Sequence, residues 1–256
     1  DDKYIEKMIS SLAPKEIVYQ RGFEERFRDA FGTKHYTYRL EQWVFSYQVN
    51  FDKLCTQFGT NSLRGFGVEG MDEGITAAGA ILYYLEFTEH KQIAHISSIS
   101  RLDKNDYVWI DKFTIRNLEL FSSNGSDSNS FAKVIDKTST AMGGRLLRRW
   151  IAMPILDIKR INRRQEVVSQ FIEDRDLAAA IGEQLSAIGD LERIASRVAS
   201  MRATPRELLQ LKSSLSAVEI LQAALESTDS EVLHSIASKI NPLEAVRERL
   251  EQYLYP

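Results

Sequence analysis

Beyond residue 111 the apolar residues of this chain recur almost only at helical spacing. Leu177, Ile181, Leu185 and Ile188 form one stripe, and Leu191, Ile194, Ala195 and Val198 form the next. Ile158, Ile161 and Val168 form another, behind an Asp157 placed to cap a helix. Each stripe leaves a single apolar face to bury, so these helices have to pack on one another as a bundle. Thr204-Pro205-Arg206-Glu207 is the sharpest local signal. Thr204 can accept from the freed amides, Pro205 sits where a missing N–H is harmless, and Glu207 completes a capping box. A long helix is expected from there to about Glu226, and Asn241-Pro242 repeats the start logic for a last helix.

The first third follows different rules. Ile5, Met8, Ile9 and Leu12 have helical spacing and stop before Pro14. Ile17-Val18-Tyr19 suits a short buried strand, and Tyr36, Tyr38 and Leu40 alternate as strand residues do. Between them Phe23, Phe27 and Phe31 recur every four residues. Phe51, Leu54, Cys55 and Phe58 return to helical spacing and are closed by Gly59. Residues 71–88 read as a further helix whose Ala77-Ala78-Gly79-Ala80 segment allows close approach to a sheet. Leu102 and Tyr107-Val108-Trp109-Ile110 read as a hairpin about the polar turn 103–106. Alternation of this kind implies an α/β layer structure. The expected organisation is an α/β domain over 1–110 and an all-α domain over 111–256, predominantly helical overall. Ser122 to Ser130 holds Gly125 and no large apolar residue, which predicts a mobile loop.

Charge and composition narrow the function. Hydrophobic residues make up 43% of the 256 and charged residues 27%, a globular balance. A net charge of -3 argues against nucleic-acid binding by bulk electrostatics alone. The single cysteine, Cys55, forms no intrachain disulfide and reads as a small buried hydrophobe. No window reaches the roughly 18 apolar residues of a membrane span. The chain starts Asp1-Asp2-Lys3-Tyr4, without signal-peptide features or an initiator Met, as expected of a piece of a longer polypeptide.

Catalytic patterns are sparse. Met142-Gly143-Gly144-Arg145 lacks the Gly-x-x-x-x-Gly-Lys-Ser/Thr frame that cradles phosphates, and it reads as helix packing or a turn. His35, His90, His95 and His234 lack metal-site spacing. Asp103, Asp106 and Asp111 cluster near a turn. A nuclease would need such carboxylates to converge on divalent ions, whereas the bland reading is solvated loop and helix cap. Arg145, Arg148 and Arg149 lie within one helical turn and could meet phosphates or the carboxylates of a neighbouring domain; Arg160, Arg163 and Arg164 form a second cluster. Arg64-Gly65-Phe66-Gly67-Val68 is either a turn seating Phe66 or a hinge at Gly65 and Gly67, with Gly125 as a further hinge candidate. Asn50, Asp52, Lys53, Thr56 and Gln57 make a polar helix face.

Several strings, in order, resemble the MutS family of DNA mismatch-repair proteins. They are Arg64-Gly65-Phe66-Gly67-Val68-Glu69, Asp111 to Leu120, Val134 to Pro154, Gly189-Asp190-Leu191-Glu192-Arg193-Ile194 and Thr204-Pro205-Arg206-Glu207-Leu208. The resemblance covers nearly the whole chain and implies the later part of a ribonuclease H-like connector, its first strands lying upstream of Asp1. The first part of a helical lever or core domain would follow. It implies a cytoplasmic, nucleoid-associated parent that dimerises, binds mispaired DNA, exchanges ATP with magnesium and recruits MutL. ATP and magnesium would belong to a domain outside this chain, leaving it without a cofactor or catalytic residue of its own. The polar face of Asn50, Asp52, Lys53, Thr56 and Gln57 would lie near the surface that meets MutL. No Phe-x-Glu mismatch wedge is present; Phe23-Glu24-Glu25 is a different arrangement. The role implied is coupling between DNA and ATP sites. Competing readings are a free-standing ribonuclease H-like nuclease and an interaction scaffold from a MutS relative active in recombination.

Overall fold

The computed structural model describes residues 2–12, 14–88, 93–102, 106–121 and 129–254, with residues 3, 10–12 and 112 described by their backbone alone. The chain divides into two compact units. One comprises Asp1–Lys104 with Ala199–Met201, the other Asn105–Val198 with Arg202–Pro256. Helix dominates, and the described residues hold one small two-stranded sheet.

In the first unit, α1 (Asp2–Leu12) precedes a parallel pair, β1 (Ile17–Gln20) and β2 (Thr37–Leu40), joined through α2 (Glu24–Phe31). Ile17 pairs with Thr37 and Gln20 with Leu40. Parallel neighbours need a crossover connection, and α2 supplies it. Phe27 ties the crossover to the sheet: its ring stacks on Tyr19 at 5.1 Å and meets Phe31 at the same separation. Phe23, the first of the phenylalanine series, sits at the N-cap and is largely exposed.

A short 3-10 turn (Gln42–Phe45) leads into α3 (Tyr47–Phe58), which Gly59 ends in the left-handed region at φ 63°. α4 (Asp72–Phe87) packs along α3. Leu54 and Cys55 of α3 and Ile75 and Leu82 of α4 form one core with Leu63, Val68 and Ile93 from the segments around them. A second small core joins Ala80 to Leu40 and Val44. The small-residue segment of α4 thus serves two neighbours: Ala80 lies by β2 and its 3-10 turn, while Gly79 lies against Asn50 of α3.

The expected hairpin is not formed between the described residues flanking 103–106. Tyr107 instead bridges Ile155 in antiparallel fashion, Val108 N–H donating to Pro154 O and Leu156 N–H to Asp106 O. The apolar run found a partner some 45 residues on, because Ile155 is buried there and holds it.

The second unit is helical. α5 (Lys112–Asn117), α6 (Phe131–Ile135), α7 (Ala141–Ala152), α8 (Ile158–Glu173) and α9 (Arg175–Ala187) each begin on an Asp, Ser or Thr side chain that accepts from the first turn. α10 (Leu191–Ala199) follows, and then α11 (Pro205–Glu226), opened by the full Thr204/Glu207 capping box. α12 (Glu231–Ala237) and α13 (Glu244–Tyr253) complete the unit. The core joins Ile181 and Ile188 to Ala217, Leu221 and Leu225 of α11 and to Leu233 and Ala237 of α12. α13 starts later than Asn241-Pro242 suggests. Asn241 accepts from Leu243 N–H, and Leu243 itself takes the cap position at φ 51°.

Candidate functional site

The polar face of α3 splits once its neighbours are in place. Asn50 is not on the surface: it is 1% exposed. It stands one turn before Leu54 and shares that residue's inward direction. Its amide donates to Val44 O at 2.6 Å and Ser46 O at 2.9 Å. That removes Asn50 from any partner-facing surface. The spacing to Leu54 carried this information; the polarity of the side chain obscured it.

The other four residues remain accessible to different degrees. Asp52 is exposed and accepts from Gln48. Thr56 is exposed and donates to Asp52 O on its own helix. Lys53 lies beside Glu86 of α4 with Nζ 2.6 Å from Oε2, an ion pair that fixes its ammonium over the α3–α4 seam. Gln57 donates to Ile93 O at 2.7 Å and to Ile96 O at 2.8 Å, and so pins the segment after α4. This face offers mixed hydrogen-bonding groups and no convergence of acids, bases or nucleophiles.

Arg64–Phe66 forms a single 3-10 turn ended by Gly67 at φ 68°. Phe66 meets Phe58 at 5.0 Å, and Leu63 and Val68 on either side are almost fully buried. A turn anchored at both ends seats Phe66, and Gly67 supplies its left-handed end. Gly125 lies outside the described residues.

The arginines of α7 share a face of the helix, but their heads diverge. Arg145 reaches the start of α10. Its two terminal nitrogens donate to the Asp190 oxygens at 2.9 and 2.7 Å, and Nε donates to Glu192 Oε2 at 3.0 Å. The bonded guanidinium pushes the Asp190 carboxyl below its usual range, and the two carboxylates raise Arg145 above its own. Asp190 also accepts from Arg193 N–H at 3.3 Å in the first turn of α10. Beside it Gly189 donates to Ser214 Oγ at 3.0 Å, and a Cβ at Gly189 would stand 2.9 Å from Gln210. Two motif strings separated by some 45 residues therefore meet at one junction of α7, α10 and α11. Arg145 is committed to these carboxylates within its own unit. Arg148 lies over Phe121, 4.7 Å from its centroid, and Arg149 is exposed with no ion pair among the described residues.

In the second arginine cluster, Arg163 donates to Ser235 and Arg164 lies over Trp150 at 3.5 Å. Burial, with Arg160 close by, lowers the pKa of Arg164. The acidic cluster is not assembled for metal binding among the described residues. Asp111 caps α5 through Thr114 N–H at 2.9 Å and Thr114 Oγ at 3.0 Å, Asp103 lies outside them, and no group of three ligands suited to a metal occurs among them. No described helix is long and apolar enough to cross a membrane.

Comparison with known proteins fits this arrangement of junctions and capped helices. Residues 113–255 match the family model for MutS domain III, and residues 1–97 match that for MutS domain II. The chain belongs to the MutS family. It is 42% identical over 250 residues to the DNA mismatch repair protein MutS of Cytophaga hutchinsonii, covering 98% of this chain and 29% of that protein. It is 44% identical over 249 residues to the MutS of Bacteroides fragilis, covering 97% of this chain and 29% of that protein. The MutS of Parabacteroides distasonis is 42% identical over 249 residues, with the same two coverages. The chain thus spans less than a third of the length of these relatives.

Proposed function

We propose that this chain is the non-catalytic coupling portion of a mismatch-repair protein of the MutS family. The observation that carries the reading is the succession of domain II and domain III matches across a chain 29% as long as its relatives. A change of domain between the two matched ranges, 1–97 and 113–255, supports this reading, with the compact units dividing at Lys104/Asn105 rather than at 110/111. The parallel β1-α2-β2 unit fits the later part of a ribonuclease H-like connector. In the parent, a separate ATP- and magnesium-binding domain performs hydrolysis, and the homodimer holds mispaired DNA and recruits MutL in the cytoplasm at the nucleoid. α11, about 33 Å long at 1.5 Å per residue, is a suitable strut for rigid-body motion. Arg145 joins α7 to α10 so that these helices move together.

Asp52, Lys53, Thr56 and Gln57 form the face we assign to MutL, with Asn50 behind it as support. The test uses a full-length MutS carrying this segment, with Asp52→Arg and Thr56→Glu introduced together. Both side chains are exposed, so the fold is retained. Mismatch binding should stay unchanged while MutL recruitment to mismatched DNA falls at least tenfold. Normal recruitment would refute the assignment of this face. Normal mismatch-dependent ATP exchange after Arg145→Ala would refute the coupling role.

A further inference from the structure

One side chain fastens the chain after α4 to α3. Residues 93–99 form no helix or strand, and among the described residues no backbone–backbone hydrogen bond ties them to α3 or α4. Gln57 supplies the tie. A primary amide has N–H groups to donate, and here they go to Ile93 O at 2.7 Å and Ile96 O at 2.8 Å. Ile93 is buried in the α3–α4 core, and Ile96 and Ile99 pack half-buried against it. Ala94 and His95, at the turn between, are exposed. They border a cavity of about 850 Å³ that Lys53, Thr56 and Gln57 of α3 and Glu86 of α4 also line. Lys53 and Gln57 therefore belong both to the polar face of α3 and to a cavity that loses one wall if 93–99 comes away. A segment with so few fixings is of the kind that opens without unfolding the helices beneath it.

We propose that segment 93–99 is a strap that regulates the α3 face: MutL binds the docked form, and strap docking and MutL binding stabilise one another. This rests on the assignment of Asp52, Lys53, Thr56 and Gln57 to MutL. The open form presents a different surface. Ala94 and His95 leave the rim of the cavity, and the Gln57 amide, freed of its two carbonyls, turns to water. A partner that fills the docked cavity finds fewer contacts on the open form, and only such a difference in affinity shifts an equilibrium. The coupling is reciprocal, so MutL closes the strap by the same factor by which the closed strap improves MutL binding. The strap also lies just before the chain enters the second unit at Asn105, so the regulated segment is part of the connection between the two.

The test uses a full-length MutS carrying this segment, with MutL and mismatched DNA. Ile96→Asp with Ile99→Asp charges the packed side of the strap and leaves α3 and α4 unaltered. Amide exchange and protease cleavage over 93–99 should rise, exchange in α3 and α4 should stay as it was, and MutL recruitment should fall about tenfold. Ile93→Ala, at a position buried away from any partner, should open the strap less and lower recruitment less, because apparent affinity follows the closed fraction. Bound MutL should slow exchange over 93–99 in the unaltered protein. An open strap with normal recruitment overturns the proposal, and so does exchange over 93–99 that MutL leaves unchanged. Aspartates that fail to open the strap, or that loosen α3 and α4 with it, also overturn it, since the segment is then no separate element. Asp52→Arg with Thr56→Glu distinguishes the two readings. If that variant loses recruitment while the open strap does not, the strap falls and the face stands; normal recruitment in both removes both.

Discussion

Replacing Gly79 by alanine probes the closest helix contact in the first unit. A Cβ built at Gly79 would stand 2.5 Å from Asn50 Cβ, 2.5 Å from its Oδ1 and 2.7 Å from its Cγ. Asn50 cannot swing aside cheaply, since its amide is held by Val44 O and Ser46 O. Overpacking of this kind costs about 1–3 kcal/mol. Alanine in a helix interior returns roughly 0.5–1 kcal/mol relative to glycine. Three Asn50 atoms closer than 3.0 Å place the overpacking in the upper half of that range, about 2–3 kcal/mol, so after the return of about 1 kcal/mol the net loss is about 1–2 kcal/mol, a factor of roughly 5–30 in the open population. Cys55 reports this directly. It is the single cysteine, lies in the α3–α4 core and is almost fully buried, and burial raises its thiol pKa. Labelling by an excess of aromatic disulfide, under conditions where reclosing outpaces reaction, should accelerate roughly 5–30-fold in Gly79→Ala, following the open population. Adding Asn50→Ala should not rescue the variant, because the Cβ–Cβ overlap persists; Asn50→Gly should. Labelling as slow as in the unaltered protein would show that α4 moves off α3 without cost, and the close-approach argument would fall.

Other consequences follow from the second unit. Asp190 has a depressed folded-state pKa, so its contribution to stability is present above the unfolded carboxylate pKa of about 3.9 and is lost as the pH falls through the lower folded value. Arg145→Gln should flatten that acid limb in thermal melts at pH 2–5 (roughly the window these pKa values span). At neutral pH it should cost no more than about 1 kcal/mol, since the pair is partly exposed and screened. Thr204→Ala removes the side-chain half of the capping box, the acceptor of Glu207 N–H, while the backbone N–H at 204 still donates to the Glu207 carboxylate; it should cost about 1 kcal/mol, read as faster amide exchange at Glu207. Gln57→Leu deletes the bonds to Ile93 O and Ile96 O and should raise exchange and protease cleavage at 93–99 while leaving exchange in α11 unchanged.

The helix starts of the second unit were legible because caps are local. Asp157, Thr204 and Glu207 act on amides within three residues, so sequence neighbours alone determine whether the bonds can form. Spacing likewise located α3, α9 and α10, since the period of the apolar residues is a property of the segment itself. Where signals were local but incomplete, the reading drifted: Asn241 makes its bond, yet to Leu243 rather than as the cap of α13.

The candidate sites were less legible. Asn50 was assigned to the surface because it is polar, and the backbone carbonyl that decides its burial, Val44 O, becomes a partner only once the 3-10 turn packs on α3 and α4. Arg145 reads as a contact for phosphates or for carboxylates of a neighbouring domain until α10 of its own unit brings Asp190 and Glu192 beside it across some 45 residues. Tyr107 took Ile155 as its partner in place of a nearby strand for the same reason. Sequence by itself determined which segments coil and, where a cap is local and complete, where they begin; it did not determine which side of α8 is buried, since the expected stripe of Ile158 and Val168 is exposed and Val167 and Phe171 pack inward instead. Only the tertiary structure decided which polar groups are enclosed, which charges are neutralised and which apolar face, that of α8, is left uncovered. Those outcomes depend on the approach of segments far apart in the chain, where the interaction energy is set by distances that no local pattern encodes.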